Sequence, residues 1–88
     1  MAANLTQGSP QQPDPNDPKY AHVFQSSNLL SGRYDPQTHT LTLVFGNGST
    51  YEYASVPDEV WFRLVSATSP GRYFHASVRP NYIGRQVA

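Results

Sequence analysis

Apolar and polar residues alternate most clearly in the stretch from Thr40 to Phe45. Leu41, Leu43 and Phe45 occupy every second position, a period of two that is typical of a β-strand with one face turned to the core. The alternation resumes after a short glycine-rich turn and there carries two tyrosines spaced two residues apart. These two runs predict a β-hairpin at the centre of the chain.

The length of the turn decides which face of the hairpin Tyr51 and Tyr53 occupy, because a shift of one residue exchanges the two faces of a strand. A two-residue type I′ turn at Asn47-Gly48, the usual turn for this dipeptide, would place the tyrosines opposite the leucine face. A three-residue loop, with Gly48 in the left-handed conformation of a bulge, places them on the leucine face. We predict the three-residue loop because it gathers the bulky side chains on one buried face.

Two further segments flank the hairpin. Residues 28–34 predict a strand with Leu30, Gly32 and Tyr34 on one face. Residues 70–82 alternate imperfectly, so they fit either a fourth strand or an extended segment that crosses the sheet.

A helix is predicted to start at Pro57, since proline is favoured at the first helical position. Phe62 lies off the apolar side of this helix, so we interpret it as an exposed contact candidate. The apolar stripe itself is formed, at helical spacing, by Val60, Trp61, Leu64, Val65 and Thr68.

Together these elements predict an α+β fold, in which a small antiparallel sheet of three to four strands carries one helix packed on one face. The domain is assigned to residues 21–88, preceded by an extended Pro-rich N-terminal arm of residues 1–20. The structural core is predicted to comprise Leu41, Leu43, Phe45, Tyr51, Tyr53, Trp61 and Leu64.

The first 20 residues differ in composition from the rest of the chain. They contain four of the eight prolines and few large apolar side chains, so they cannot bury enough surface to offset the entropy lost on ordering. Two interpretations stay open: a disordered tail, or a docking arm that becomes ordered on a partner. In the second interpretation the contact candidates are Pro10, Pro13, Pro15 and Pro18.

Composition and missing motifs exclude several classes of function. A formal net charge of zero argues against strong, non-specific binding to nucleic acid or to an anionic membrane. The chain has no cysteine, no G-x-S-x-G, Walker or H-E-x-x-H sequence, and no metal-ligand spacing among its three histidines. We therefore expect no enzymatic activity, no cofactor, no metal, no small-molecule substrate and no membrane contact. The start of the chain also lacks the features of a signal peptide.

Three local sequences stand out beyond these patterns: the Tyr51-x-Tyr53 pair, the Val56-Pro57 helix start and the ATSPGRYF stretch from Ala67 to Phe74. Together they resemble the KTSC domain, a family named for its occurrence at the C-terminus of some lysyl-tRNA synthetases and also found as small bacterial and phage proteins. The resemblance covers about residues 23–82. It implies no catalytic residues, and RNA binding is a function suggested for the family from the synthetase. His75 departs from the pattern, which has a polar amide at this position.

Two functions fit these observations. The first is a non-enzymatic module that docks on a larger protein assembly, such as a phage virion, through its arm and its sheet edge. The alternative is an RNA-binding module that uses a C-terminal surface of arginines and aromatic rings. These functions predict a protein that is cytoplasmic or associated with a virion. The contact candidates in the domain are Phe62, Arg63, Arg72, Tyr73, Arg79, Tyr82 and Arg85.

Overall fold

The computed structural model describes residues 12–88, so Pro10 lies outside the described residues together with the rest of residues 1–11. Four strands, two helices, a π-helical turn and a fifth strand follow a short 3-10 turn. Their bounds are Pro18–Tyr20 (3-10 turn), Ala21–Val23 (β1), Leu29–Asp35 (β2), Thr40–Phe45 (β3), Thr50–Tyr53 (β4), Asp58–Ser66 (α1), Pro70–Tyr73 (α2), Phe74–Val78 (π turn) and Gly84–Gln86 (β5).

The strands form one antiparallel sheet in the order β1-β2-β3-β4-β5, and α1 packs on one face of it. The predicted α+β architecture is confirmed. The sheet has five strands rather than three to four, because β1 and β5 each add a three-residue strand at an edge. Strands of three residues are too short to show a period of two, so the pattern of the sequence does not reveal them.

The β3–β4 hairpin has the three-residue loop that the burial argument predicts. Leu43 pairs with Tyr51, and the Phe45 N–H donates to the Ser49 carbonyl at 2.9 Å. Gly48 has a φ of 90°, a left-handed conformation that glycine adopts without the steric penalty of a side chain. The hairpin therefore gathers leucines and tyrosines on the face that α1 covers, which is called the inner face below.

The prediction that Leu30 shares a face with Gly32 and Tyr34 is wrong. The pairing of β2 with β3 shifts between Leu29 and Ser31, which is a β-bulge. Because the extra residue changes the parity of the strand upstream of it, Leu29 is fully buried and Leu30 is 47 % exposed.

The segment after α1 forms helical turns instead of a fourth strand or an extended crossing. Pro70 begins α2, where its missing N–H would have no helical partner in any case. Gly71, Phe74 and Val78 are buried and follow one another at helical spacings of three and four residues. The Arg79 N–H donates to the Phe74 carbonyl at 2.9 Å, which closes the wider π turn.

Trp61 lies at the centre of the core. Its side chain is fully buried, and its ring stacks on Tyr34 with centroids 6.1 Å apart. Gly32 permits this approach, because a Cβ added there would come within 3.2 Å of the indole. Of the seven predicted core residues, the structure buries Leu41, Leu43, Tyr53, Trp61 and Leu64 and partly buries Phe45 and Tyr51.

The hydroxyl of Tyr34 ties the sheet to the start of α1. It donates to the Val56 carbonyl and lies 3.0 Å from the Asp58 carboxylate. Burial, followed by the nearby Asp58, raises the pKa of Tyr34. Pro57 is the N-cap of α1 rather than its first residue, so the helix begins one position later than predicted.

The described residues just before β1 contact the domain itself. The Trp61 indole N–H donates to the Lys19 carbonyl at 2.9 Å, and Tyr20 is buried. The division into an arm and a domain at residue 21 stays a prediction, but a truncation that removes Tyr20 would also remove part of the core.

We expect the substitution Trp61→Ala to lower the free energy of unfolding by about 3–5 kcal/mol, because it leaves a cavity under the sheet. The matched control is Phe62→Ala on the same helix, where the ring is 38 % exposed, with an expected loss of less than about 1 kcal/mol. Urea titration measures both values. A loss of less than about 1 kcal/mol for Trp61→Ala would contradict this packing.

Candidate functional site

A cleft of about 450 Å³ opens beside the tip of the β3–β4 hairpin. Three segments line it: the loop before β2, the hairpin and the π turn. We call it the aromatic cleft, because four of its residues carry aromatic rings of the core: Phe45, Tyr51, Tyr53 and Phe74. The polar residues that line it are Ser27, Asn28, Asn47, Ser49, His75 and Arg79.

The four rings form a rigid surface. The ring of Phe74 meets those of Phe45 and Tyr53 edge to face, with centroids 5.2 and 5.8 Å away, an arrangement that aromatic pairs favour. The rings of Tyr51 and Tyr53 stack at an interplanar angle of 24°. Tyr51 and Phe45 are only partly buried, so their rings are the ones available to a ligand.

Asn28 and His75 form a polar pair at the cleft. The Asn28 Nδ2 lies 3.3 Å from the His75 Nε2. If the amide donates, His75 Nε2 accepts and the imidazole proton is on Nδ1. The Asn28 carbonyl accepts from the Gly46 N–H at 2.9 Å, which holds the loop before β2 against the hairpin. Both side chains stay exposed and can bond a ligand.

Arg79 supplies positive charge at the cleft and is exposed. Burial raises the pKa of the Tyr53 phenol, the neighbouring Tyr51 adds to this increase, and the Arg79 guanidinium opposes it. The Tyr53 hydroxyl therefore keeps its proton at neutral pH. Among the described residues that line the cleft, Arg79 is the one with a permanent charge.

The arginines proposed for RNA binding do not converge on one surface. Arg79 lines the cleft, whereas Arg63 pairs with Glu59 on α1 at 2.6 Å. Arg85 pairs with Glu52 at 3.1 Å, on the face of the sheet turned away from α1.

The other candidates in the domain lie outside the cleft. Arg72 is exposed on α2. Tyr73 and Tyr82 are partly buried against the core. Burial raises the pKa of Tyr73, while the Arg63 guanidinium opposes the rise. Phe62 is partly exposed and its ring packs near that of Tyr20, with centroids 5.9 Å apart.

Sequence patterns missed Asn28 and Asn47 as lining residues. The sequence predicts Asn47 as a turn residue and Asn28 as the first residue of a strand. The contact between Asn28 and His75 joins positions 47 residues apart, which local periodicity does not report. Two signals on this side of the cleft are present in the sequence, the departure at His75 from the family pattern and the contact candidate Arg79.

A family model described as the KTSC domain matches residues 25–82. The chain belongs to the KTSC domain family. The matched range contains every residue that lines the aromatic cleft. The Pro-rich residues and β5 lie outside it.

Relatives of two kinds share the KTSC sequence. A lysine–tRNA ligase of a Nostoc species is 41 % identical over 64 residues, which are 73 % of this chain and 11 % of the ligase. The chain thus spans about a tenth of that relative. An uncharacterized protein of Stutzerimonas stutzeri is 41 % identical over 68 % of this chain and 84 % of its own length.

A solved structure has the same fold. The crystal structure of a KTSC domain protein from Yersinia pestis superposes with a TM-score of 0.72 at 32 % identity. The match covers 77 % of this chain and 96 % of that protein. The KTSC fold can therefore form a small protein almost by itself.

None of the helices in residues 12–88 has the length and the hydrophobicity that a membrane-spanning helix requires. The same part of the chain holds no group of three or more histidine or carboxylate side chains arranged to bind a metal ion. The absence of enzymatic activity stays a prediction.

We expect the domain to lose stability as the pH rises above about 10. Folding raises the pKa values of Tyr34 and Tyr53, chiefly through burial, whereas tyrosines of the unfolded chain ionise near about pH 10. This contribution to stability is fully present below the unfolded pKa and is lost as the pH rises through the folded pKa.

Urea titrations at about pH 8 and about pH 11 measure this effect. The loss between the two pH values should be smaller in Tyr53→Phe than in the wild type. The control Phe62→Ala, which removes a ring but no phenol, should lose as much as the wild type. An equal loss in Tyr53→Phe would show that this phenol is not the group that titrates.

Proposed function

We propose that this KTSC domain is an RNA-binding module that holds one or two unstacked nucleotides of a single strand in the aromatic cleft. The proposal rests on one combination of side chains in the aromatic cleft. The partly exposed Tyr51 packs against other aromatic rings, and the amide of Asn28, the imidazole of His75 and the guanidinium of Arg79 line the same cleft. Proteins that recognise single-stranded RNA stack its bases on aromatic rings and hydrogen-bond the base edges with polar side chains.

The shape of the cleft favours an unpaired nucleotide. A volume of about 450 Å³ lies in the range of sites that bind small organic groups. A paired duplex cannot enter a cleft of this size, whereas a base turned out of a loop or a strand end can. In this proposal Tyr51 stacks on the base, Asn28 and His75 bond its edge, and Arg79 contacts a phosphate.

The charge of the protein predicts the character of the binding. Each neutralised phosphate of a single strand contributes about 0.7 to the slope of log affinity against log salt. Because Arg79 is the permanent cation at the cleft and the net charge is zero, the salt dependence should be shallow. Stacking, at about 1–3 kcal/mol per base, should supply most of the affinity.

The relatives support an RNA-related context. Lysine–tRNA ligases, which are named for acting on tRNA, contain a segment up to 41 % identical to this chain. A weak RNA-binding module within a larger enzyme can act by raising the local concentration of its ligand. A small domain that holds one or two nucleotides suits such an auxiliary role.

The substitution Tyr51→Ala should weaken RNA binding by about 5- to 150-fold, because it removes one stacking surface worth about 1–3 kcal/mol. Arg79→Ala should weaken binding and reduce the salt slope by about 0.7. Fluorescence anisotropy with labelled six-nucleotide homopolymers of each base measures both effects.

The matched controls are Arg72→Ala and Arg85→Ala, which remove the same charge outside the cleft and should keep nearly wild-type affinity. Circular dichroism establishes that each variant is folded. The cleft is not the RNA site if the loss in Tyr51→Ala is no larger than that in the controls. The proposal is wrong if the wild type binds none of the four homopolymers.

Docking on a larger protein assembly, such as a phage virion, is a second candidate. One observation favours it: β1 is an edge strand, and its Val23 is 74 % exposed. An exposed edge can accept an additional strand from a partner. Of the described prolines of the arm, Pro13 contacts the domain itself, since its carbonyl accepts from the Gln37 side chain at 3.1 Å. We therefore place the docking contact at the strand edge first.

Strand addition at β1 would require the backbone N–H of Val23. The Phe24 N–H donates inward to Leu30, so alternation turns the Val23 N–H towards the free edge. Partners are first recovered from the native source with and without nuclease. Val23→Pro should then abolish binding of a nuclease-resistant partner, whereas the control Val23→Thr, which keeps the N–H, should bind it. Equal binding by both variants would exclude this edge.

A further inference from the structure

The face of the sheet turned away from α1, the outer face, carries an ordered pattern of side chains. Residues on neighbouring strands that lie opposite one another form rows across all five strands. One row contains two arginines and a glutamate and consists of Ala21, Arg33, Thr42, Glu52 and Arg85. The next row is mostly apolar and consists of Val23, Ser31, Val44 and Thr50, with Val87 beside Thr50.

This face is open to solvent in the described part of the chain. Val23, Leu30 and Val87 are 74 %, 47 % and 44 % exposed. Among residues 12–88, Pro15 approaches the charged row from one side, where it borders a groove with Arg33 and Glu52. An uncovered sheet with an apolar row is a surface that another protein can bury.

We propose that the outer face is the interface between two copies of this chain, related by a two-fold axis that runs along β3. This axis exchanges β2 with β4 and β1 with β5, because these strands lie at equal distances on either side of β3. The same patch of each copy then meets itself, as a two-fold interface requires. The inference goes beyond the proposed function, since the aromatic cleft lies on the other side of the sheet.

Charge complementarity selects this axis. Arg33 on β2 and Glu52 on β4 are each one strand from Thr42 in the same row, or about 4.8 Å to either side of β3. The exchange therefore places Arg33 of one copy over Glu52 of the other, twice in each dimer. An axis along β2 would oppose two arginines, and an axis along β4 would oppose two glutamates. Face-to-face sheets lie about 10 Å apart, a gap that an arginine and a glutamate can span together.

The apolar row fits the same arrangement. The axis stacks Val44 on itself and brings Val23 of one copy over Val87 of the other. Glu52 already accepts from Arg85 at 3.1 Å through Oε1, which leaves its second carboxylate oxygen for the arginine of the other copy. In these two rows the arrangement therefore places no two like charges directly opposite one another.

The area of the face predicts a reversible dimer. Five strands about 4.8 Å apart and about five residues long give a flat area of roughly 400 Å² per copy, about half of what a standard stable interface buries on each partner. We expect dimers at high protein concentration and low salt, and monomers on dilution. Such a dimer leaves both aromatic clefts open, so one dimer would present two ligand sites.

Charge exchange at positions 33 and 52 tests the proposal. Analytical ultracentrifugation of the full chain should show a concentration-dependent dimer that weakens with salt. Arg33→Glu and Glu52→Arg should each weaken self-association by at least about ten-fold, because each opposes like charges at both symmetric contacts. An equimolar mixture of the two variants should form a mixed dimer at wild-type strength, since every charged pair is again opposite. The control Arg72→Glu, on α2, should dimerise as the wild type does.

Each alternative result would overturn the interface. The proposal is wrong if the wild type stays monomeric at the highest soluble concentration. It is also wrong if the dimer survives both single exchanges, or if mixing the variants does not restore it. Positions 33 and 52 face solvent on the sheet, and circular dichroism of each variant separates a loss of association from a loss of folding. Failure of RNA binding in the cleft would leave this result unaffected.

Discussion

The burial of Trp61 is the packing constraint on which the rest of the structure depends. Its ring lies against Gly32 and Tyr34 of β2, and its indole N–H donates to Lys19 of the N-terminal segment. One side chain thus fixes α1 on the sheet and holds the chain that leads into β1. Because α1 has only nine residues, it covers only part of the inner face. The end of that face near the hairpin tip is covered by the turns that follow α1.

The aromatic cleft follows from this division of the inner face. Phe74 in the π turn packs on Phe45 and Tyr53. This contact completes the core and also forms the aromatic surface against which Tyr51 lies. The hydrogen bond from the Arg79 N–H to the Phe74 carbonyl then sets Arg79 beside those rings. π turns are rare in proteins and frequent at functional sites, because the wider turn redirects the side chains that follow it. The core and the candidate site are therefore parts of one arrangement.

The sequence predicts the elements whose burial repeats at a regular spacing, and it fails where one residue breaks that spacing. The hairpin register follows from parity, since the tyrosines and the leucines must share a face, and the stripe of α1 follows from helical periodicity. The face predicted for Leu30 from the alternation of the strand is wrong, because a bulge adds one residue to β2. In the amino-acid sequence, the turns after α1 have the pattern of an irregular strand. In the structure, Gly71, Phe74 and Val78 contact the core at helical spacing. The cleft itself depends on Asn28 meeting His75 across 47 positions, a contact that only the folded chain reveals.

The two faces of the sheet divide the chemistry of this small domain. The inner face holds the core and the cleft, where binding energy must come from rings because Arg79 is the permanent cation among the described lining residues. The outer face carries two arginines and one glutamate in one row, so that row adds only one net positive charge to the attraction of an anionic strand. A domain with no net charge cannot hold RNA strongly through one cleft, since neither long-range attraction nor multiple phosphate contacts are available. For the proposed RNA binding, useful affinity therefore has to come from more than one site acting together, through a tether to a larger protein or through the proposed second copy on the outer face.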